Sequence, residues 1–84
     1  MFEYDFTFHT LTQAQRGRDV LHMEKIFSFL GRSPRELAAR GCGYVLRVRE
    51  RDAARAMEIL REKNVGYVHV YKVFEDGHAE EVRS

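Results

Sequence analysis

Hydrophobic and polar residues alternate over residues 2–9. The apolar positions of this segment are all aromatic: Phe2, Tyr4, Phe6 and Phe8. Alternation with period two and aromatic side chains predicts a half-buried strand. Three further apolar runs, at residues 27–30, 44–48 and 65–74, predict three more strands. The chain therefore carries a strong β component.

Two other segments show helical spacing. The first, over about residues 11–25, follows Thr10 and Thr12, either of which can cap a helix, but Gly17 weakens its middle. The second, over about residues 52–63, has an apolar stripe that includes Ala56 and Leu60, and Asn64 can end it in a left-handed conformation. Between them, Pro34 opens at most one helical turn, over residues 35–39.

The predicted order is strand, helix, strand, strand, helix, strand. Short loops and the usual crossover rules favour an α+β fold, a ferredoxin-like βαββαβ arrangement. We expect a four-stranded antiparallel sheet with two helices on one face, as one domain over residues 1–74. The Asp76-Gly77 pair is a turn signal, so the acidic residues 75–84 form either a C-terminal hairpin or a frayed tail.

Composition limits the classes of function. The 84 residues have room for one small core, and a formal net charge of +1 gives no strong attraction to nucleic acid or to an anionic membrane. The single cysteine excludes an internal disulfide. No signal peptide and no membrane-length apolar run is seen, so we expect a cytoplasmic protein. Dinucleotide and phosphate-loop motifs are missing, so we expect no self-sufficient enzyme and no cofactor.

Cys42 is the most specific chemical candidate. It lies between Gly41 and Gly43, which allow a ligand or backbone to come close to the sulfur. Nearby arginines would favour the reactive thiolate: Arg32, Arg35 and Arg40. A lone cysteine is also commonly a small buried hydrophobic residue, and this alternative stays open.

The predicted topology brings other groups to Cys42. The first and third strands are expected to be antiparallel neighbours, so the end of the first, at His9, meets the start of the third, near Cys42. The first helix would begin at the same edge, at Thr10. A helix N-terminus attracts anions, and His9 could exchange a proton with the sulfur. We therefore expect Cys42 and His9 to be the reactive pair.

Three segments resemble a known family. Phe8-His9-Thr10, then Pro34-Arg35-Glu36-Leu37, then Cys42-Gly43 before an apolar strand look like the selenium/sulfur carrier-like family of short bacterial and archaeal domains. The resemblance covers roughly residues 4–73. It implies that Cys42 carries sulfur or selenium as a persulfide or selenylsulfide between donor and acceptor proteins. It also implies that Pro34, Arg35, Glu36 and Gly43 shape the cysteine loop.

The principal alternative is a non-catalytic module in which Cys42 is structural. Tyr67, His69 and Tyr71 would share the sheet face away from the helices, and this open face could form a homodimer or bind a small ligand. RNA binding is disfavoured because the RNA-recognition signature is missing. The four histidines lack regular ligand spacing, so we expect no metal site.

Overall fold

The architecture comes from a computed structural model, which describes residues 2–33, 39 and 41–82. These residues form five strands and two helices in the following order: β1 (Glu3–Phe8), α1 (Leu11–Met23), β2 (Phe29–Arg32), β3 (Tyr44–Arg49), α2 (Glu50–Glu62), β4 (Val70–Val73) and β5 (Ala79–Val82). The α+β class is thus confirmed.

The sheet has five strands in the order β2-β3-β1-β4-β5, and all neighbours are antiparallel. The prediction of four strands was wrong, because residues 79–82 fold back on β4. Gly77 makes this possible: it adopts φ +94°, a left-handed conformation that glycine tolerates best. The Asp76-Gly77 turn therefore adds an edge strand to the sheet.

The core lies between the sheet and both helices. From the sheet it takes alternate residues: Phe6 and Phe8 of β1, Leu46 and Val48 of β3, and Val70 of β4. From the helices it takes the apolar stripes: Ala14 and Leu21 of α1, and Ala53, Ala56, Ile59 and Leu60 of α2. Burial of each large side chain contributes about 1.5–3 kcal/mol. The period of two in β1 and the helical spacing in α2 thus meet on one face of the sheet.

Gly17 allows α1 to approach the sheet closely. A Cβ atom at this position would lie 2.9 Å from Leu46 Cδ1 and 3.2 Å from Phe8 Cζ. Sequence propensity marks Gly17 only as a weak point of the helix. The packing shows why a side chain is excluded there.

Both helices end in the same way. Lys25 and Asn64 have φ of 63° and 55°, immediately after the two C-caps. The next residues, Ile26 and Val65, donate to the carbonyls of Leu21 and Leu60 and are themselves buried. This is the Schellman arrangement, and it confirms the left-handed stop predicted at Asn64.

The second and fourth strands differ from their predicted bounds. β2 begins at Phe29 and β4 begins only at Val70. Before β4, the Thr7 hydroxyl accepts a hydrogen bond from the His69 amide at 3.0 Å, so a side chain contributes to the pairing at that point. Tyr67 packs edge-on against Phe6, at a ring distance of 5.2 Å, on the core side. The prediction that Tyr67 shares a face with Tyr71 was therefore wrong.

No helix among the described residues is long and apolar enough to cross a membrane.

Candidate functional site

Cys42 lies two residues before β3 and is 2% exposed. Although it is buried, it is not part of the contiguous core cluster formed by the described residues. The sulfur-bearing residue thus sits at the end of the sheet, outside the main core between helices and sheet. Any reaction with a partner requires this end to open.

His9 and the cysteine segment meet, as the topology predicts. His9 Nδ1 lies 2.7 Å from the carbonyl oxygen of Gly41, the residue before Cys42. Because a carbonyl only accepts, Nδ1 carries the proton and donates it in this bond. When the ring is neutral, this tautomer leaves the lone pair on Nε2. His9 itself is exposed.

Gly41 has a backbone conformation that suits glycine. Its φ is +88°, and a Cβ atom there would lie 3.5 Å from His9 Nδ1. An L-residue with a side chain would be strained at this φ. The glycine thus turns the chain so that its carbonyl meets His9 immediately before Cys42.

Gly43 lies on the other side of Cys42. Apart from its two chain neighbours, no described residue has an atom within 4 Å of the position that a Cβ would take at Gly43. Its carbonyl accepts from the Ser33 amide at 3.0 Å, which continues the β2–β3 pairing by one residue. The Ser33 hydroxyl beside it is buried and has no hydrogen-bond partner among the described residues. Sequence reasoning missed Ser33, because a single serine after a strand carries no signal.

Thr10 caps α1. Its hydroxyl accepts from the Gln13 amide at 3.1 Å, so this oxygen is already engaged. The first turn of α1 contains no acidic residue, whereas that of α2 contains Glu50 and Asp52. The partial positive charge at the start of α1, one residue after His9, is therefore not offset locally.

The remaining predicted residues divide into two groups. Arg32 is exposed and lies in β2 opposite Tyr44, not in a loop, because β2 begins and ends two residues later than predicted. Four predicted residues lie outside the described residues: Pro34, Arg35, Glu36 and Arg40. The predicted helical turn over 35–39 falls almost wholly in the same segment. Near the cysteine, the described structure therefore brings together Cys42, His9 and the two glycines.

One row of side chains crosses the open face of all five strands. In register order it reads Phe29, Arg47, Asp5, Tyr71 and Glu81. Arg47 donates to both carboxylate oxygens of Asp5, at 2.7 and 2.9 Å. The hydrogen bonding of Arg47 to the Asp5 carboxylate is the main cause that raises the pKa of Arg47 above its ordinary value. Asp5 is 7% exposed, so this pair fixes the centre of the open face.

The histidines are separated in the fold. His69 Nδ1 lies 3.0 Å from Glu81, and His78 Nδ1 lies 2.6 Å from Asp76, while His9 bonds Gly41. Within residues 2–33, 39 and 41–82, no three or more histidine, cysteine or acidic side chains form a group that could hold a metal ion.

Comparison with known proteins identifies the family. A family model described as "Putative Se/S carrier protein-like" matches residues 3–72. This range covers most of the chain and includes His9 and Cys42, so the protein belongs to that family. None of the curated proteins and none of the solved structures matches the chain.

Proposed function

We propose that this protein carries sulfane sulfur, or selenium at the same oxidation level, on Cys42 and passes it between partner proteins in the cytoplasm. The observation that carries the proposal is the placement of the single cysteine. Cys42 follows a left-handed glycine whose carbonyl accepts a hydrogen bond from His9, and apart from its chain neighbours no described residue approaches the Cβ position of Gly43. Membership of the carrier-like family supports the same role.

The loading step is a thiolate exchange. The Cys42 thiolate attacks the outer sulfur of a donor persulfide, R–S–SH, so a new S–S bond forms as the donor's S–S bond breaks. The donor leaves as the thiolate R–S⁻, and the proton stays on the transferred sulfur. Discharge to an acceptor thiolate is the same exchange in the other direction. No oxidant or reductant is consumed, and a donor selenylsulfide transfers selenium in the same way.

His9 has two tasks in this proposal. Its Nδ1–H holds the Gly41 carbonyl and so positions the cysteine segment. Its Nε2 lone pair accepts the proton that the Cys42 thiol gives up when it becomes nucleophilic. His9 is thus the proposed positioning and proton-accepting residue, bonded to the residue before Cys42.

Burial of Cys42 is part of the function. A sulfane sulfur held at a site that is 2% exposed is protected from free thiols until the segment opens on a partner. We propose a ferredoxin-like arrangement for this role. The strand order β4-β1-β3-β2 within the sheet supports that arrangement. In that arrangement the cysteine segment lies at the end of the central strands, where a donor and an acceptor can approach in turn.

The proposal requires that Cys42 react in the folded protein through a local opening. Global stability of a chain this size is about 4–13 kcal/mol, so labelling through global unfolding would be slowed by at least about a thousandfold. A local opening of about 1–3 kcal/mol slows labelling only by about 5- to 150-fold. The test is the alkylation rate of Cys42 at increasing urea, beside the unfolding free energy of the same sample.

The matched control is a thiol placed in the main core, Ala56→Cys combined with Cys42→Ser, since Ala56 is fully buried in α2. We expect wild-type labelling to be nearly independent of urea below the unfolding transition. The control thiol should instead follow global unfolding. If Cys42 also reacts only at the rate of global unfolding, it is a structural residue and the carrier proposal is wrong.

A further inference from the structure

The two edges of the sheet are chemically different. β2 forms one edge and β5 the other. The β5 edge carries Glu80 and Glu81, and charge on an edge opposes pairing with another chain. The β2 edge instead carries Phe29, which is 62% exposed, and Phe27 two residues earlier is 72% exposed. Exposed aromatic residues on an edge whose one charged residue, Arg32, lies at its end favour strand addition.

The backbone of β2 leaves a definite set of groups free for pairing. The Ser33 amide donates to the carbonyl of Gly43, the residue before β3. Alternate residues of an antiparallel pair face the same partner, so Phe29 and Gly31 also turn their backbone groups towards β3. Leu30 and Arg32 therefore turn theirs outward. Within the described residues, no strand pairs with this outer side of β2.

We propose that β2 pairs with β2 of a second copy, antiparallel about a two-fold axis at Leu30, to give one continuous ten-stranded sheet. In this register Leu30 exchanges two hydrogen bonds with its symmetry mate, and Arg32 exchanges two with Ser28 at each end. Directly opposed residues of an antiparallel pair share a face, so Phe29 of one copy lies opposite Gly31 of the other. The helices of both copies then lie on the same side.

The side chains suit this register. Gly31 has no side chain, and the Phe29 ring already lies over it within one chain, 3.2 Å from the position of its Cβ. An aromatic ring over a cross-strand glycine is a stabilising pair in sheets. Each Phe29 can therefore cover the glycine of either chain, and the two rings lie next to each other on the open face.

The charges on the two edges also favour pairing of β2 with β2 over pairing of β5 with β5. Arg32 is the one charged residue of β2, and antiparallel pairing places the two arginines at opposite ends of the interface. They are then about four residues apart, or roughly 14 Å at the strand rise, which exceeds the Debye length of about 10 Å at 0.1 M salt. Pairing of two β5 edges would instead oppose glutamates.

The test is sedimentation equilibrium from low micromolar to near-millimolar protein. We expect a monomer–dimer equilibrium, and at least a tenfold weaker one in Phe29→Lys, which changes an exposed side chain and spares the core. The matched control is Ala79→Lys, which adds the same charge on the same face of the opposite edge. It should leave the dimer unchanged.

A covalent variant tests the register itself. Leu30→Cys in the Cys42→Ser background would place two thiols across the axis, with Cα atoms about 5.5 Å apart, within the range that a disulfide spans. We expect a disulfide-linked dimer on mild oxidation, and none for Ala79→Cys. A monomer at all concentrations, a dimer unaffected by Phe29→Lys, or higher oligomers that Ala79→Lys abolishes would each overturn the proposal.

Discussion

The hydrogen bond between His9 and Gly41 should control how readily Cys42 becomes reactive. The bond joins the end of β1 to the residue before the cysteine, at 2.7 Å. Both groups are near the surface, so loss of the bond should not disturb the main core. His9→Ala removes the donor and should therefore increase the fraction of molecules in which the cysteine segment is open.

The expected increase in opening follows from the free energy that one hydrogen bond contributes. A net contribution of about 0.5–1.5 kcal/mol corresponds to an increase of about 2- to 13-fold in the opening equilibrium. Global stability should fall by no more than the same amount. The Cys42 alkylation rate in native buffer, divided by that of the unfolded chain, measures the opening directly.

Two substitutions of His9 separate the effect of the hydrogen bond from that of the imidazole ring, and a third variant, at His22, is the control. The amide nitrogen of asparagine occupies nearly the position of Nδ1, so His9→Asn should keep Cys42 protected, whereas His9→Gln should not. His22→Ala removes an exposed histidine from the other end of α1 and should change nothing. Equal alkylation rates in His9→Ala and wild type would refute the role of this bond.

Three further predictions concern the scaffold, each measured as the free energy of unfolding in urea. Gly17→Val should destabilise the protein by about 2 kcal/mol or more, since even its Cβ would lie 2.9 Å from Leu46 Cδ1. Lys25→Gly should stabilise it by about 1 kcal/mol, because Lys25 has φ of 63°. Asp5→Asn should cost about 1–2 kcal/mol, less than the 3–5 kcal/mol of a fully buried pair, because the Arg47 side chain is 40% exposed and can regain water.

Each of these has a result that would contradict it. Higher stability in Gly17→Val would mean that helix propensity outweighs packing at that position. No gain in Lys25→Gly would mean that the left-handed residue carries little strain. For the ion pair, Asp5→Asn and Arg47→Gln should together cost less than the sum of the two single changes, and simple additivity would show that the groups do not interact.

The local pattern of hydrophobic and polar residues was enough to predict some elements of the fold. The alternation in residues 2–9 gave β1, and the apolar stripe with Asn64 gave α2 and its end. β4 was predicted five residues too early. Before Val70 the Thr7 backbone bonds both Val68 and His69, and no local sequence pattern reveals this irregular pairing. The same irregularity put Tyr67 on the core face.

Other features of the structure depend on contacts between residues that are distant in sequence. Gly17 counts against a helix by propensity, yet the close approach of α1 to the sheet requires it. The meeting of His9 with the cysteine segment was predictable, because it follows from two antiparallel neighbours. The pairing of Asp5 with Arg47 was not, because strand register fixes it and the two residues are far apart in sequence. As parts of the site, four residues remain predictions: Pro34, Arg35, Glu36 and Arg40.

The most direct test of the carrier role is intact-mass spectrometry of the folded protein after incubation with a persulfide donor and removal of excess donor. The account predicts a mass increase of one sulfur atom in the wild type, none in Cys42→Ser, and loss of that atom when an acceptor thiol protein is added. A wild-type protein that gains sulfur only after unfolding would contradict the account, because Cys42 would then be a structural residue and not a carrier.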